Sequence, residues 1–279
     1  MEEDVPDQYE QLMNRLSSLH GRLGRLLVPL AACAASVIPA KTGAASLPET
    51  VAMVKPSVVG VGTHLQTRSP AVAFSGTGFV VGDGLSVITN AHVVPEILDG
   101  ARKETLGVVV RTGADGADTA FRPATVVAVD RDHDLAHLRL SGAPLPALRL
   151  ADKDDAREGQ ALAFTGFPLG MVLGLYPATH RAGLAAITPI VRPSLNARRL
   201  DARAIAQLQR APFTIYQLDG TAYPGNSGSP VYDPDTGVVV AVINMVFVKG
   251  LKENAITNPS GITYAIPARH VHALLQRTQ

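Results

Sequence analysis

From Ser57 onward the chain alternates short apolar runs with turn residues, and this pattern predicts strands. The runs are SVVGVGT at 57–63, GTGFVV at 76–81, LSVITN at 85–90, LGVVVRT at 106–112, ATVVAVD at 124–130, DLAHLRL at 134–140 and ALAFTGF at 161–167. A further strand is expected near 184–188, followed by FTIYQL at 213–218, SPVY at 229–232, VVVAVINMVFV at 238–248 and ITYAI at 262–266. In DLAHLRL the alternation puts Leu138 and Leu140 on one face and His137 and Arg139 on the other. More than ten short strands in some 220 residues indicate a sandwich or barrels and argue against a βα repeat. Two helices are predicted. One covers Asp201 to Arg210 within an inserted segment, with Leu200, Ala204, Ile205 and Leu208 on one stripe; the other starts near Pro267 and carries Val271, Leu274 and Leu275.

The first residues read differently. Residues 1–25 are polar, with Glu2, Glu3 and Asp4 ahead of Arg15, Arg22 and Arg25, and Leu26 to Ala40 is a run of fifteen apolar or small residues behind that basic flank. This order is that of a secretory signal. The run is short for a membrane span and Pro29 interrupts it. Gly43 and Ala45 offer small residues for cleavage before Ser46, and Leu30-Ala31-Ala32-Cys33 resembles a lipobox in which Cys33 would take a lipid. Residues 1–46 are therefore expected to be a leader, with export to the periplasm or beyond, and no core contribution is expected before about Leu47. A leader retained on a cytoplasmic protein is the alternative.

Composition narrows the function. Formal net charge is +1, which disfavours a nucleic-acid partner. Twenty-five glycines, twenty prolines and no tryptophan suit many short strands and tight turns. A single cysteine excludes an intramolecular disulfide and a cysteine-built zinc site, and no histidine pair has HExxH spacing, so neither a metal nor another cofactor is expected.

Three polar segments carry candidate chemistry. Acyl transfer at neutral pH needs a nucleophile, a base for its proton, a carboxylate to orient the base, and donors for the oxyanion. Ser227 sits in Ala222 to Pro230, AYPGNSGSP, where small residues let the backbone turn tightly and point successive N–H groups at one spot. His92 lies in TNAHVV at a strand end, and Asp134 opens DLAHLRL after the polar run Asp130-Arg131-Asp132-His133. Taken singly, a serine in a Gly-rich turn, a histidine at a strand end and an aspartate at a turn are all ordinary structural features. Together they run His, Asp, Ser with spacings of 42 and 93 residues (92 to 134, 134 to 227), the chain order of the chymotrypsin-type triad. Asp130 and Asp132 compete with Asp134 for the carboxylate role. His133 and His137, outside the TNAHVV context, are expected at the surface.

TNAHVV, HDLAHLRL and GNSGSP resemble the three triad segments of the trypsin-like serine proteases, in particular the bacterial HtrA-type branch. The resemblance spans roughly residues 50–275 and includes GTGFVV, GFPLG at 166–170, Asp219 eight residues before Ser227, and YAIP at 264–267. It implies an all-β fold of two packed six-stranded antiparallel β-barrels with a C-terminal helix. A protease domain over 47–279 would then have halves at roughly 50–150 and 158–266. It further implies a serine endopeptidase acting on protein or peptide substrates, with Ser227 as nucleophile, His92 as general base and Asp134 as orienting carboxylate. The backbone N–H groups of Gly225 and Ser227, with Asn226 between them, would form the oxyanion hole.

Some features depart from that family. HtrA-type proteins usually carry C-terminal PDZ domains, and no such domain fits before Gln279. Ser229 stands where glycine is commoner. The side-chain pocket is expected among Thr221, Tyr223, Ile243 and Met245, and Thr221 occupies the place, six residues before Ser227, where a basic-specific enzyme would have an aspartate. A preference for small or medium apolar residues follows. The rival reading is a catalytically silent, peptide-binding or chaperone-like member of the fold.

Overall fold

Apolar runs bounded by turn residues close into two six-stranded antiparallel barrels. The computed structural model describes residues 45–112, 118–170, 174–190, 213–244 and 261–277, all within the unit Ala44–Gln279. Residues 1–44 of the expected leader, the helix expected over 201–210 and Met245 lie outside the described residues.

The first barrel contains β1 (Val58–His64), β2 (Val72–Val81), β3 (Ser86–Thr89), β4 (Thr105–Thr112), β5 (Asp118–Asp130) and β6 (Leu135–Leu140), closing in the order β1-β2-β3-β6-β5-β4. The second contains β7 (Ala161–Gly166), β8 (Ala178–Ile190), β9 (Phe213–Asp219), β10 (Pro230–Tyr232), β11 (Val239–Asn244) and β12 (Ile262–Pro267), closing in the order β10-β11-β12-β9-β8-β7. Traced from its own first strand, the second barrel has the same neighbour order as the first. The chain thus holds a topological repeat that its sequence does not display.

Three apolar clusters form the interior. Val59, Val61, Val80, Val87, Val108 and Leu138 fill the first barrel, and Leu162, Phe164, Leu184, Leu218, Ala241 and Ile243 fill the second. The third lies between them: Phe79, Val81, Ile88 and Leu135 from one barrel meet Phe167, Tyr232, Val239, Val242 and Ile266 from the other. This seam explains why β11 is buried along its whole length and carries no polar alternation. Val240, Ala241 and Ile243 point into their barrel, while Val239 and Val242 face the seam. A strand with apolar matter on both faces reads as a continuous hydrophobic run.

Two helices complete the seam. The helix α1 (Leu47–Val54) was not expected from the apolar periodicity. Its signal is local: the Ser46 backbone N–H donates to the Glu49 carboxylate at 2.8 Å, and Pro48 stands in the first turn. Val54 at its end is fully buried in the seam cluster. The expected C-terminal helix is present as α2 (Ala268–Gln276), starting behind Pro267, and it contributes Val271 and Leu274 to the same cluster.

One expectation about side-chain placement is corrected. His137 is buried, because the face of β6 that carries it is covered, its neighbour Leu135 packing in one cluster with Val271 and Leu274 of α2. Burial first, and then the Arg139 charge, holds the His137 imidazole below its ordinary pKa.

If α2 is a structural plug of the seam, Leu274→Ala lowers unfolding free energy by about 2–5 kcal/mol, the usual cost of deleting a fully buried leucine side chain. Urea unfolding measures it, and a loss below about 0.5 kcal/mol, the level of an ordinary surface substitution, would place the helix outside the cooperative core.

Candidate active site

The site lies where the end of β3, the turn between β5 and β6, and the turn before β10 meet. Thr89 ends β3; Asn90 follows, and residues Ala91–Val93 form a single tight helical turn that carries His92. The opposing turn, Asp130 to Asp134, holds this segment through four hydrogen bonds. The Asp134 carbonyl accepts from Asn90 Nδ2 at 3.0 Å and from Ala91 N–H at 3.1 Å. Its carboxylate accepts from the His92 N–H at 3.0 Å through Oδ1 and from the His92 ring Nδ1 at 2.6 Å through Oδ2. A carboxylate can only accept, so the ring hydrogen belongs on Nδ1 and leaves Nε2 with its lone pair.

A residue not singled out in the sequence completes this arrangement. Asn244, fully buried at the end of β11, donates Nδ2 to Asp134 Oδ2 at 2.8 Å across the seam. The signal was available: Asn244 is the one polar side chain within the apolar run 238–248, and a buried amide in such a run needs a partner. Asp134 is itself buried, at 6% exposure, and three donors offset the cost of removing its carboxylate from water.

Of the competing carboxylates, Asp130 builds the turn. Its Oδ1 accepts the backbone N–H groups of Asp132 and His133 at 3.0 and 3.1 Å, and its Oδ2 meets the His133 ring at 2.8 Å and Arg277 at 3.4 Å. Burial alone would raise the Asp130 pKa. The His133 hydrogen bonds, with the His133 and Arg277 charges, outweigh it and hold the carboxylate below its ordinary value. Asp132 is exposed. Asp134 adopts a left-handed backbone, φ +53°, the sort of local strain that persists only where neighbours over-determine it. His133 is half-buried, a correction to its expected surface position: its ring stacks on His270 at 3.9 Å between centroids and meets the edge of Phe213.

The turn carrying Ser227 is fixed differently, through its carbonyls. Tyr223 O accepts from Asn226 N–H, Pro224 O from Leu169 N–H, and Asn226 O from Ser229 N–H, at 2.9, 2.7 and 3.0 Å. Gly225 O accepts from Thr77 Oγ1 at 2.7 Å, and Ser227 O from Thr77 N–H at 2.8 Å. Every carbonyl from 223 to 227 is thus engaged, whereas the N–H groups of Gly225 and Ser227 donate to no described residue. The N–H of Asn226, placed between them, is used within the turn. Gly228 must be glycine: its φ is +87°, and an added Cβ would stand 2.0 Å from Thr77 O. Ser227 is 6% exposed.

The histidine and serine turns meet at β2. A Cβ added at Gly76 would stand 2.6 Å from Val93 Cγ2 and 3.1 Å from Ser227 O, so the backbone of Gly76 is in close contact with both turns. Of the residues expected to wall a side-chain pocket, Thr221 and Tyr223 are half-buried. Ile243 is fully buried inside the second barrel, and its backbone accepts from Gly228 N–H and donates to Ser229 O. Among the described residues no group of three or more His, Cys, Asp or Glu side chains is placed to hold a metal ion, and no helix is long and apolar enough to cross a membrane.

This fold and this meeting of three segments define a class. The family model for the trypsin-like peptidase domain matches residues 76–242, and the chain belongs to that family. Among curated proteins the chain is similar to the mitochondrial serine protease HTRA2 of Drosophila willistoni, 30% identical over 208 residues covering 75% of this chain and 39% of that protein. The counterpart in Drosophila pseudoobscura pseudoobscura is 29% identical over 208 residues, 75% of this chain and 40% of that protein. The chain thus spans about two fifths of the length of these relatives. Solved structures show the same fold: the active form of the Rv3671c protease from M. tuberculosis, at TM-score 0.57 and 24% identity over 82% of this chain and 83% of that one. The serine endoprotease from Yersinia pestis follows, at TM-score 0.57 and 20% identity over 84% and 66%. The HtrA-type likeness expected from the motifs is therefore present over three quarters of this chain.

Two measurements test the site's construction. Gly228→Ala combines a left-handed φ with a collision, while Gly82→Ala has the same sign of φ, +62°, with open space around the added carbon. Gly82→Ala is expected to cost about 1–2 kcal/mol and Gly228→Ala clearly more, by urea unfolding; equal losses would mean that the contact with Thr77 is relaxed. The second concerns pH. Burial, then the nearby His133 and Arg269 charges, push His270 down to about 4, against the partial opposing pull of Asp130. The unfolded chain therefore binds a proton that the folded chain refuses, and stability falls as pH drops from about 6.5 towards 4. His270→Phe should flatten the thermal-unfolding midpoint against pH across that window, and an unchanged slope would assign the acid sensitivity elsewhere.

Proposed function

We propose that this chain is a serine endopeptidase that cleaves protein substrates through an acyl-enzyme formed on Ser227. The observation that carries the reading is the Asp134 carboxylate, which holds both the backbone and the ring of His92 and leaves ring Nε2 free, beside a serine turn whose two undonated N–H groups belong to Gly225 and Ser227. In the first step Ser227 Oγ attacks the peptide carbonyl carbon while its proton passes to His92 Nε2. Asp134 stays ionised and stabilises the imidazolium, and Asn244 keeps the carboxylate satisfied throughout. The carbonyl oxygen, now negative, is received by the Gly225 and Ser227 N–H groups. The C–N bond then breaks, with His92 returning its proton to the leaving amine. Water, deprotonated by the same ring, releases the acyl group and restores the serine. The transfer requires the Ser227 hydroxyl within hydrogen-bond reach of His92 Nε2 in the substrate complex.

The substrate side is read from Thr221 and Tyr223, which bring no carboxylate to the approach to Ser227. This supports cleavage after small or medium apolar residues over cleavage after Lys or Arg.

Casein digestion tests both parts, with Ser227→Ala as control and the product ends sequenced. The wild-type chain should cleave, a fluorophosphonate should block it by labelling Ser227, and the variant should lose at least about 10³-fold. Cleavage retained in Ser227→Ala overturns the nucleophile. Neither cleavage nor labelling in the wild type overturns the enzyme reading in favour of a peptide-binding member of the fold, and product ends at Lys or Arg alone overturn the specificity.

A further inference from the structure

We propose that Thr77, on β2 of the first barrel, is the positioning residue that sets the two oxyanion donors of the second barrel; the inference rests on the acyl-enzyme reading above. Thr77 is fully buried and uses every polar atom it has. Its hydroxyl donates to Gly225 O at 2.7 Å and accepts from Phe167 N–H at 3.1 Å. Its own N–H donates to Ser227 O at 2.8 Å, and its carbonyl accepts from Thr89 Oγ1 at 2.7 Å.

The effect follows from peptide planarity. A carbonyl and the N–H of the next residue share one rigid plane, so holding the oxygen sets the direction of that hydrogen. The Ser227 N–H lies in the peptide joining Asn226 to Ser227, whose oxygen accepts, among the described residues, only the Ser229 N–H of the same turn, at 3.0 Å. The peptides on either side of it are both held by Thr77, one through Gly225 O and the other through Ser227 O. The Gly225 N–H lies in the peptide preceding the one held by the Thr77 hydroxyl, and it is oriented from its other end by Leu169 N–H on Pro224 O. Gly225 itself has a φ of +101°, which glycine leaves easily, so without a restraint on its carbonyl the donor before it is held from one end only. The same hydroxyl holds Phe167 N–H, at the start of the stretch that supplies Leu169, so a single oxygen ties together the two segments that aim the Gly225 donor.

Serine would keep the hydroxyl, whereas valine keeps the branched shape and removes it. In Thr77→Val the backbone bond to Ser227 O is retained, and Gly225 O and Phe167 N–H lose their partner. The consequence is a displaced donor, with substrate contacts elsewhere unchanged.

The experiment is fluorophosphonate labelling of the wild-type chain, Thr77→Val, Thr77→Ala and Thr77→Ser, followed as rate against probe concentration, with casein turnover in parallel. Both hydroxyl-free variants should lose roughly 10- to 100-fold in maximal labelling rate with the half-saturating concentration within about twofold, and Thr77→Ser should stay within about threefold of wild type. A purely structural role would lower folded fraction, read by urea unfolding, and leave the maximal rate per folded molecule unchanged. The proposal is overturned if the hydroxyl-free variants keep that rate within about threefold, if the loss appears only in the half-saturating concentration, or if Thr77→Ser is as slow as Thr77→Val. Thr77→Ala fits the site without overpacking, so a folding failure of Thr77→Val leaves the comparison intact. A wild-type chain that neither labels nor cleaves overturns the acyl-enzyme reading itself, a result distinct from an active wild type with unaffected variants.

Discussion

Two closed barrels form a working cleft only if something fixes one against the other to a fraction of an ångström, and here that constraint is the contact of β2 with the serine turn. Gly76 has no room for a side chain between Val93 and Ser227 O, and Thr77 beside it bonds the carbonyls of Gly225 and Ser227. The hydrophobic seam brings the barrels together, but area burial is not directional. Hydrogen bonds from a fully buried threonine are directional, and a buried carbonyl left without its donor is costly, so any shift between barrels meets a steep penalty. The seam supplies the attraction and the β2 contact supplies the register.

The same logic governs the charged half of the site. Asp134 belongs to the first barrel, and one of the donors to its carboxylate, Asn244, belongs to the second. A buried carboxylate tolerates few missing donors, so the carboxylate also reports on the docking of the barrels. Behind it Asp130 holds the turn by two backbone N–H groups, and the left-handed conformation of Asp134 follows from that closed turn. The two aspartates divide the work: one builds the turn, and the other uses the direction that the turn imposes.

Much of this was legible in the residues. The alternation of short apolar runs with Gly, Pro and Asp marks the strands because a pleated chain needs turn residues at each reversal, and the run boundaries fall within a few residues of the observed ones for β1, β6, β7 and β9. Helix α1 was missed because its signal is a capping pattern around Ser46 and Glu49, with no long apolar stripe to accompany it. His137 was misplaced because strand alternation says which residues share a face but not what covers that face. Here α2, more than a hundred residues later in the chain, packs against the strand.

What the chain determined by itself was local: where strands begin and end, where the chain turns, and which side-chain types could serve as base, carboxylate and nucleophile. Those properties depend on neighbours within a few residues. The tertiary structure decided the rest, assigning Asp130 to its turn and Asp134 to His92, drawing Asn244 out of an apolar run to a carboxylate 110 residues away, and setting Thr77 against a turn 148 residues later. The physical reason is that a buried polar group is satisfied by whatever the folded chain brings within about 3 Å, and that proximity is a property of barrel closure and docking, on which sequence spacing is silent.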